Sequence, residues 1–474
     1  MKHHLDWSSY ETAGQGDAYA GIPATGGDFA KAVAVCISDK LCQRTPKGVM
    51  CPSFRATDDP AHSPGGRVLV LKAALNGEFG NGEFGLEELT QAAFADPRLA
   101  AAMELCVGCK GCKRECANQV DMAAIKIEYQ AQRNALRGVS HRDRLAAGLP
   151  AWLRHRRALR SLIRLRNRMP WLAKLGERVL GISAQRQLPE PAASPYAAPD
   201  VPSGDAAGDR DVILFVDTFA LNFEPEIAQA AHQVLTAAGY RVLTLQAQAD
   251  DEPDRPLCCG RTYLSLGQVD KARREAQRLQ AALRPALAAG TPVVGLEPSC
   301  ILSLRDDHLK LGLGEEAVAL SKQVYLFEEF IAREHDRKRL QLDLKPLSHG
   351  KTGAHGKTGA QGKTLVHGHC HQKAVGAMKS LRKVLRLIPE FEFEFIEASC
   401  CGMAGSFGVE AEHADISMQM AELDLLPALR AAPDSPILAN GFSCRHQIRE
   451  GVDRQPSHVA MLLRDAILCK EQAC

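Results

Sequence analysis

Cys106-Val107-Gly108-Cys109-Lys110-Gly111-Cys112-Lys113-Arg114-Glu115-Cys116 is the stretch that decides how this chain is read. Three thiolates two residues apart can wrap one face of an iron–sulfur cube, while a fourth, three residues further on, reaches a second cube. Upstream lie Cys36, Cys42 and Cys51, the last followed by Pro52. A Cys-Pro pair is typical of the fourth position of such a string, whose thiolate ligates the other cluster. The implied exchange gives one [4Fe-4S] cluster the ligands Cys51, Cys106, Cys109 and Cys112. The other takes Cys36, Cys42 and Cys116 and is one ligand short. Asp39 stands where a central thiolate would fall. A carboxylate can ligate iron, so Asp39 is a candidate; solvent, another ligand or a three-iron cluster are the alternatives. The 54 residues between Cys51 and Cys106 are too many for a compact bacterial ferredoxin and favour a helical one. Zinc is the rival for any cysteine quartet, but structural zinc sites favour two separated Cys-x2-Cys pairs. A continuous triple fits a cube better, and a non-redox zinc protein remains the contrasting alternative.

A second set of seven cysteines follows. Cys370, the adjacent pair Cys400-Cys401 before Gly402, and Cys444 each fall near the end of a predicted strand. Ligands gather at that edge of parallel α/β folds, and four thiolates suffice for one further cluster. Gly402, Gly405 and Gly408 either let the backbone approach cluster sulfur or form a mere turn. The preceding half echoes the pattern with Cys258, Cys259-Gly260 and Cys300, but Asp217-Thr218 stands in the first cysteine's place. Three thiolates plus Asp217 could hold zinc or iron; equally, the half has lost its cluster and kept its fold. His367, His369 and His371 alternate around Cys370 and share one face of an extended segment. They either serve a cluster or satisfy local carbonyls.

Around these sets the chain divides by texture. Residues 1–30 read as a loose lead-in and 31–130 as the helical two-cluster domain, with a helix expected from Leu86 to Met103. Asn76 to Gly80 is duplicated at once as Asn81 to Gly85 and reads as a loop insertion. Residues 131–184 are helical and basic, with seven arginines and no acid between Arg154 and Arg168, flanked by Trp152 and Trp171. That is either a solvated helix face or a docking surface for an acidic partner or anionic lipid headgroups. A proline-rich linker spans 185–210. Strand–helix alternation then fills 211–345 and 365–470. Strands are expected at Val212–Val216, Val242–Leu245, Pro292–Leu296, Thr364–Val366, Phe391–Ile396 and Ile437–Ala439. The intervening 346–364 loop contains Gly-Lys-Thr three times. A phosphate-binding loop needs a glycine five positions before that glycine, where Lys345, Lys351 and Lys357 stand, so it is a flexible loop. Cys469 and Cys474 have no partner at ligand spacing.

Net charge is +2, which advertises no nucleic acid. No signal-peptide core and no run of about eighteen apolar residues is present, so the expectation is a cytoplasmic protein, with peripheral contact at the inner membrane as an option. A long chain without a secretory signal makes metal ligands of its cysteines rather than disulfides.

Longer strings carry a likeness. They are Met50-Cys51-Pro52-Ser53, His62-Ser63-Pro64, Val216-Asp217-Thr218-Phe219, Leu257-Cys258-Cys259-Gly260-Arg261 and Gly295 to Cys300, then His367 to His371, Cys400 to Gly408, and Gly441-Phe442-Ser443-Cys444-Arg445. Over roughly residues 31–470 the chain resembles the iron–sulfur, cysteine-rich (CCG) C-terminal portion of FAD-linked D-2-hydroxyacid dehydrogenases of the D-lactate and D-2-hydroxyglutarate type. It is also similar to the glycolate oxidase iron–sulfur subunit and to the CCG-bearing subunit of heterodisulfide reductase. The resemblance implies an α-helical ferredoxin-like domain followed by an α/β pair of CCG half-domains. It implies an electron-transfer component taking electrons from an FAD-linked dehydrogenase subunit to a quinone or other carrier, with FAD only on that partner. Three departures stand out. Glu297 and Gly441 replace a further cysteine of heterodisulfide reductase, whose five-thiolate clusters and disulfide chemistry therefore do not simply carry over. Ala117 replaces the proline after the fourth ferredoxin cysteine, and no dinucleotide fingerprint occurs. A heterodisulfide-reductase-like enzyme with its own cluster-based active site is the alternative function.

Overall fold

The structure is a computed structural model that describes residues 2–44, 48–79, 85–199, 210–245, 247, 252, 255–347 and 363–468. The first two Gly-Lys-Thr repeats and Gly362 of the third, the end of the proline-rich linker, most of the duplicated insert's second copy, Cys469 and Cys474 lie outside the described residues.

Prolines start helices that flank the first cysteine set. Pro52, Pro64 and Pro97 open Pro52–Thr57, Pro64–Leu75 and Pro97–Glu104, where a missing N–H costs nothing. Ser63 and Asp96 side chains accept the N–H groups of Gly66 and Arg98 at 3.0 and 2.8 Å. The single helix expected from Leu86 to Met103 is therefore two, Leu86–Phe94 and Pro97–Glu104, because the Asp96-Pro97 pair both stops and restarts it. These helices pack with Gly27–Ala34 and Met122–Arg137 around Phe29, Val33, Val68, Leu71, Phe94 and Ile125. The lead-in is not loose at its start. Leu5 and Trp7 are buried in this core, and Glu128 accepts the Leu5 N–H at 2.9 Å and the Trp7 indole N–H at 3.1 Å.

The remainder holds two small parallel sheets. The first runs β2-β1-β3-β4, with β1 Asp211–Phe215, β2 Arg241–Thr244, β3 Val293–Gly295 and β4 Val324–Leu326. The second runs β6-β5-β7, with β5 Thr364–His367, β6 Phe393–Phe395 and β7 Ile437–Ala439. Every pairing is parallel, with Val212 opposite Val242 and Leu365 opposite Ile437. Beyond β7 an isolated parallel bridge from Leu438 to Ser457 stands where the first sheet has β4.

The two halves are related by an approximate two-fold exchange. Pro225–Ala237, which follows β1, packs on Val459–Ala466, at the end of the second half. Its counterpart Met378–Leu385 packs on Phe327–Asp336, at the end of the first. Ala231, Val234, Phe330, Leu381, Val384 and Leu463 bury the seam. The helical part is fixed onto this body by ion pairs: Lys110 reaches Asp306 and Asp307 at 2.8 Å, Lys310 reaches Asp121 at 2.9 Å, and Arg55 reaches Asp424 at 2.8 Å.

Candidate metal centres

The first cysteine set lines two neighbouring cavities. Cys51, Cys106, Cys109 and Cys112 surround the inner one together with Met50 and Arg67. Cys36, Cys42 and Cys116 surround the outer one with Asp39, Leu41 and Leu69. Met50 and Pro64 line both, so one residue layer separates them. The inner cysteines are buried and the outer three only partly so. Burial pushes the Cys109 thiol well up, with Cys370 and Cys400 adding to it; burial and Cys106 raise Cys112. Four thiolates cannot gather there without a cation to hold them, which is the chemistry of a soft-metal donor set. Asp39 is exposed, and its carboxylate accepts the Leu41 N–H at 3.0 Å. The Gly65 N–H donates to Cys42 Sγ at 3.4 Å.

Arg67 was not singled out by the sequence. It is wholly buried. It donates to Cys51 Sγ at 3.6 Å, to Ser53 Oγ at 2.8 Å and to the Ala102 carbonyl at 2.7 Å. Nothing in the Pro64–Leu75 helix marks it out, since Lys72 is a second cation there. Burial lowers the Arg67 pKa, but the thiols of Cys106 and Cys51 outweigh this and leave a fixed positive charge at the inner cavity.

Cys370, Cys400, Cys401 and Cys444 form a buried chain of thiol contacts in that order. The Cys370 thiol is raised by its contact with Cys400 and by burial; Cys400 is pushed up to about 12. Cys370 opens the helix after β5, and Cys444 lies in the first turn of the helix after β7. Gly402 has φ +85°, and a Cβ there would lie 2.2 Å from the Ser417 carbonyl oxygen, so only glycine lets the pair Cys400-Cys401 sit this close. Lys373, also missed in the sequence, donates to the Ala398 and Ser399 carbonyls and sets a half-buried amine beside these thiols, its pKa lowered by desolvation against the raising effect of Cys370 and Cys444.

The inner cavity and this second site adjoin. Val49, Val107, Cys109, Cys370 and Cys400 form one buried contact cluster. His371 Nε2 lies 3.1 Å from the Gly108 carbonyl oxygen, joining the two cysteine strings directly. His369 caps its own helix, its Nδ1 accepting the His371 N–H at 3.1 Å, and His367 ring nitrogens have no hydrogen-bond partner among the described residues.

In the first half Cys258, Cys259 and Cys300 repeat the arrangement, with Gly260 at φ +77° against the Ala272 carbonyl. Strand ends align Thr218, not Asp217, with Cys370. Thr218 is the first helical residue after β1, and its hydroxyl bonds Cys258. Asp217 occupies the cap position of His369, and its Oδ1 accepts the N–H groups of Phe219 and Ala220 at 2.8 and 3.2 Å. Burial, with Glu297 nearby, pushes its pKa up to about 7, and Oδ2 has no hydrogen-bond partner among the described residues. Glu297 itself accepts the Phe442 N–H at 2.7 Å across the two-fold seam, while a Cβ on Gly441 would meet the His369 ring at 2.4 Å.

A family model, the CCG cysteine-rich domain, matches residues 364–449. The chain is 23% identical to D-2-hydroxyglutarate dehydrogenase of Escherichia coli (strain K12) over 87% of its own length and 42% of that protein. It is 25% identical to a subunit of the anaerobic glycerol-3-phosphate dehydrogenase of the same organism, over 54% of this chain and 60% of the relative. Similarity to lactate utilization protein A of Bacillus velezensis is 24%, covering 53% of this chain and 95% of the relative. The chain thus spans about half the length of the first relatives it matches. No solved structure matches. The donor set of the second site and these likenesses agree: residues 364–449 are a CCG cysteine-rich domain, in a chain whose relatives are dehydrogenase and lactate-utilization proteins.

Proposed function

We propose that this chain is the iron–sulfur electron-transfer component of an FAD-dependent 2-hydroxyacid dehydrogenase. It would take electrons from a partner flavoprotein and pass them to a quinone or another carrier. The observation that carries the reading is the unbroken series of cysteine sites: a half-exposed outer cavity, an inner cavity sharing Met50 and Pro64 with it, and a CCG site in contact through Cys109. Clusters bound there would supply one-electron storage and transfer. Cys51, Cys106, Cys109 and Cys112 would hold a [4Fe-4S] cluster in a helical ferredoxin-like domain, and Cys36, Cys42 and Cys116 a second, with Asp39 as the candidate fourth ligand. Cys370, Cys400, Cys401 and Cys444 would hold a third. The Cys258, Cys259 and Cys300 trio, with Thr218 in the fourth corner, would bind at most a single metal ion.

The chain's own groups do three things. Burial excludes water from the inner and CCG sites, N–H groups aimed at sulfur stabilise reduced states, and Arg67 and Lys373 offset added negative charge. The named relatives support the substrate class, since 2-hydroxyglutarate, lactate and glycerol 3-phosphate all present an oxidisable hydroxyl. A heterodisulfide-type site would want more thiolates, and Glu297 and Gly441 stand in those places. The test is electron paramagnetic resonance of anaerobic protein reduced with dithionite. Neighbouring reduced clusters broaden one another's signals, and Cys109→Ser should abolish the broadening between the inner and CCG signals. Magnetically isolated signals in the unaltered protein would refute a continuous path.

A further inference from the structure

Helices Arg156–Arg168 and Pro170–Leu180 form a hairpin whose outward face mixes exposed cations with exposed apolar side chains. Its inner side is committed. Leu159, with Leu149 and Leu153 of the preceding segment, packs among Phe219, Phe223 and Phe442. Arg156 donates to the Ala193 carbonyl at 2.7 Å, Arg164 pairs with Glu190 at 3.0 Å, and Arg166 reaches the Arg186 and Ser183 carbonyls. The outer side is left over. Leu162, Trp171 and Val179 are 64, 62 and 70% exposed, with Leu165, Met169 and Leu175 between them. Arg157, Arg168, Lys174 and Arg178 rise among these side chains, all exposed and without an ion-pair partner among the described residues. Glu177 is the sole acid from 152 to 180, and its carboxylate is turned to the Ala184 N–H.

We propose that this face docks on a bilayer of anionic lipids. Cations interleaved with leucine and tryptophan at helical spacing match an interface in which headgroup phosphates alternate with acyl surface. A protein partner would leave the centre of the patch depleted of charge instead, whereas here the cations run its whole length. Charge complementarity thus selects the anionic surface. No helix among the described residues is long and apolar enough to cross a membrane, so contact would be peripheral. The hairpin also covers Phe442, two residues before Cys444, so docking sets the CCG end of the chain against the membrane. The proposal stands without the electron-transfer reading, because lipid binding needs no cluster and no partner.

Tryptophan reports on it directly. The chain has three: Trp7 is buried, and Trp152 and Trp171 are on or beside this face. The full chain is mixed with sedimentable vesicles of equal phosphatidylglycerol and phosphatidylcholine, or of phosphatidylcholine alone, at low and at about 0.5 M salt, where screening is nearly complete. Binding to the anionic vesicles, a blue shift, and protection of Trp171 from iodide are expected, with loss at high salt. Arg157→Glu, Arg168→Glu, Lys174→Glu and Arg178→Glu together should lower partition by roughly a hundredfold or more, and Trp171→Ala with Leu175→Ala by about tenfold. Both sets lie on exposed positions, and near-ultraviolet circular dichroism checks that the fold is kept. Equal binding to neutral vesicles, no binding to anionic ones, or iodide-accessible Trp171 in the bound state would each overturn the proposal. So would a protein partner that occupies the face while vesicles do not.

Discussion

Arg67 offers the sharpest perturbation of the relay. Its guanidinium is fully buried, 3.6 Å from Cys51 Sγ, and no carboxylate hydrogen-bonds or pairs with it among the described residues. Adding an electron to the inner site places one more negative charge near this cation. With charges about 6 Å apart and an effective dielectric constant of about 20, the attraction is about 3 kcal/mol. For a one-electron couple that corresponds to about 120 mV. Arg67→Met keeps most of the volume and removes the charge, so the inner-cluster midpoint should fall by about 100 mV. Arg67→Lys should move it by less than half as much. The outer site, behind Met50 and Pro64, should move by less than about 30 mV in either variant. The methionine variant also takes the Arg67 donor from the Ala102 carbonyl, while Ser53 Oγ keeps the His62 carbonyl at 3.2 Å, costing about 1–3 kcal/mol of stability. An anaerobic redox titration followed by electron paramagnetic resonance separates the two effects, since lost stability alone does not shift a midpoint. An unchanged inner midpoint in Arg67→Met, or equal shifts at both sites, would refute the placement of this charge.

Other outcomes follow from single residues. Gly402→Ala forces a Cβ to 2.2 Å from the Ser417 carbonyl and should abolish metal retention at the CCG site, whereas Gly405→Ala, with nothing within 4 Å, should cost only about 1 kcal/mol; iron content and thermal melts distinguish them. Cys370→Ser should remove one cluster's iron, about four atoms if cubane, and leave the ferredoxin-type signals in place. Burial pushes the Asp121 carboxyl up, but Lys310 and Lys113 outweigh it and hold its pKa at about 2. A depressed carboxylate stabilises the fold fully above its unfolded value near 3.8, and that contribution disappears as pH falls through about 2. Acid melts should therefore lose about 2 kcal/mol over that window, and Asp121→Asn should remove most of that dependence. A variant with the same acid profile as the parent would contradict the ion pairs of Asp121.

Legibility in the sequence divides along the range of the interactions. Ligand spacing within Cys106 to Cys116 is local, and the Cys51-Pro52 pair is a local mark of the exchange that sends Cys51 to one cavity and Cys116 to the other; the structure gathers the cysteines in those groups. β1 and β5, apolar and bounded by turn residues, were visible to within a residue. β4 was missed because three residues between two helices leave no period to count. The one-residue ambiguity at the end of β1 hid which of Asp217 and Thr218 matches Cys370, since side chains swap faces at each step. Leu5 and Trp7 looked like part of a loose lead-in because their partner, Glu128, is more than 120 residues away. Arg67 was silent for a similar reason: only the fold reveals that the thiols around it come from Cys51 on one side and from Cys106 and Cys112 on the other.

Clusters at three adjoining thiolate sites require iron and inorganic sulfide, and the measurement that bears on them most directly is iron, zinc and acid-labile sulfide per chain after anaerobic purification. About eleven to twelve irons with matching sulfide are expected for three clusters, the outer one of three or four irons. Zinc in place of iron, without sulfide, would contradict that assignment.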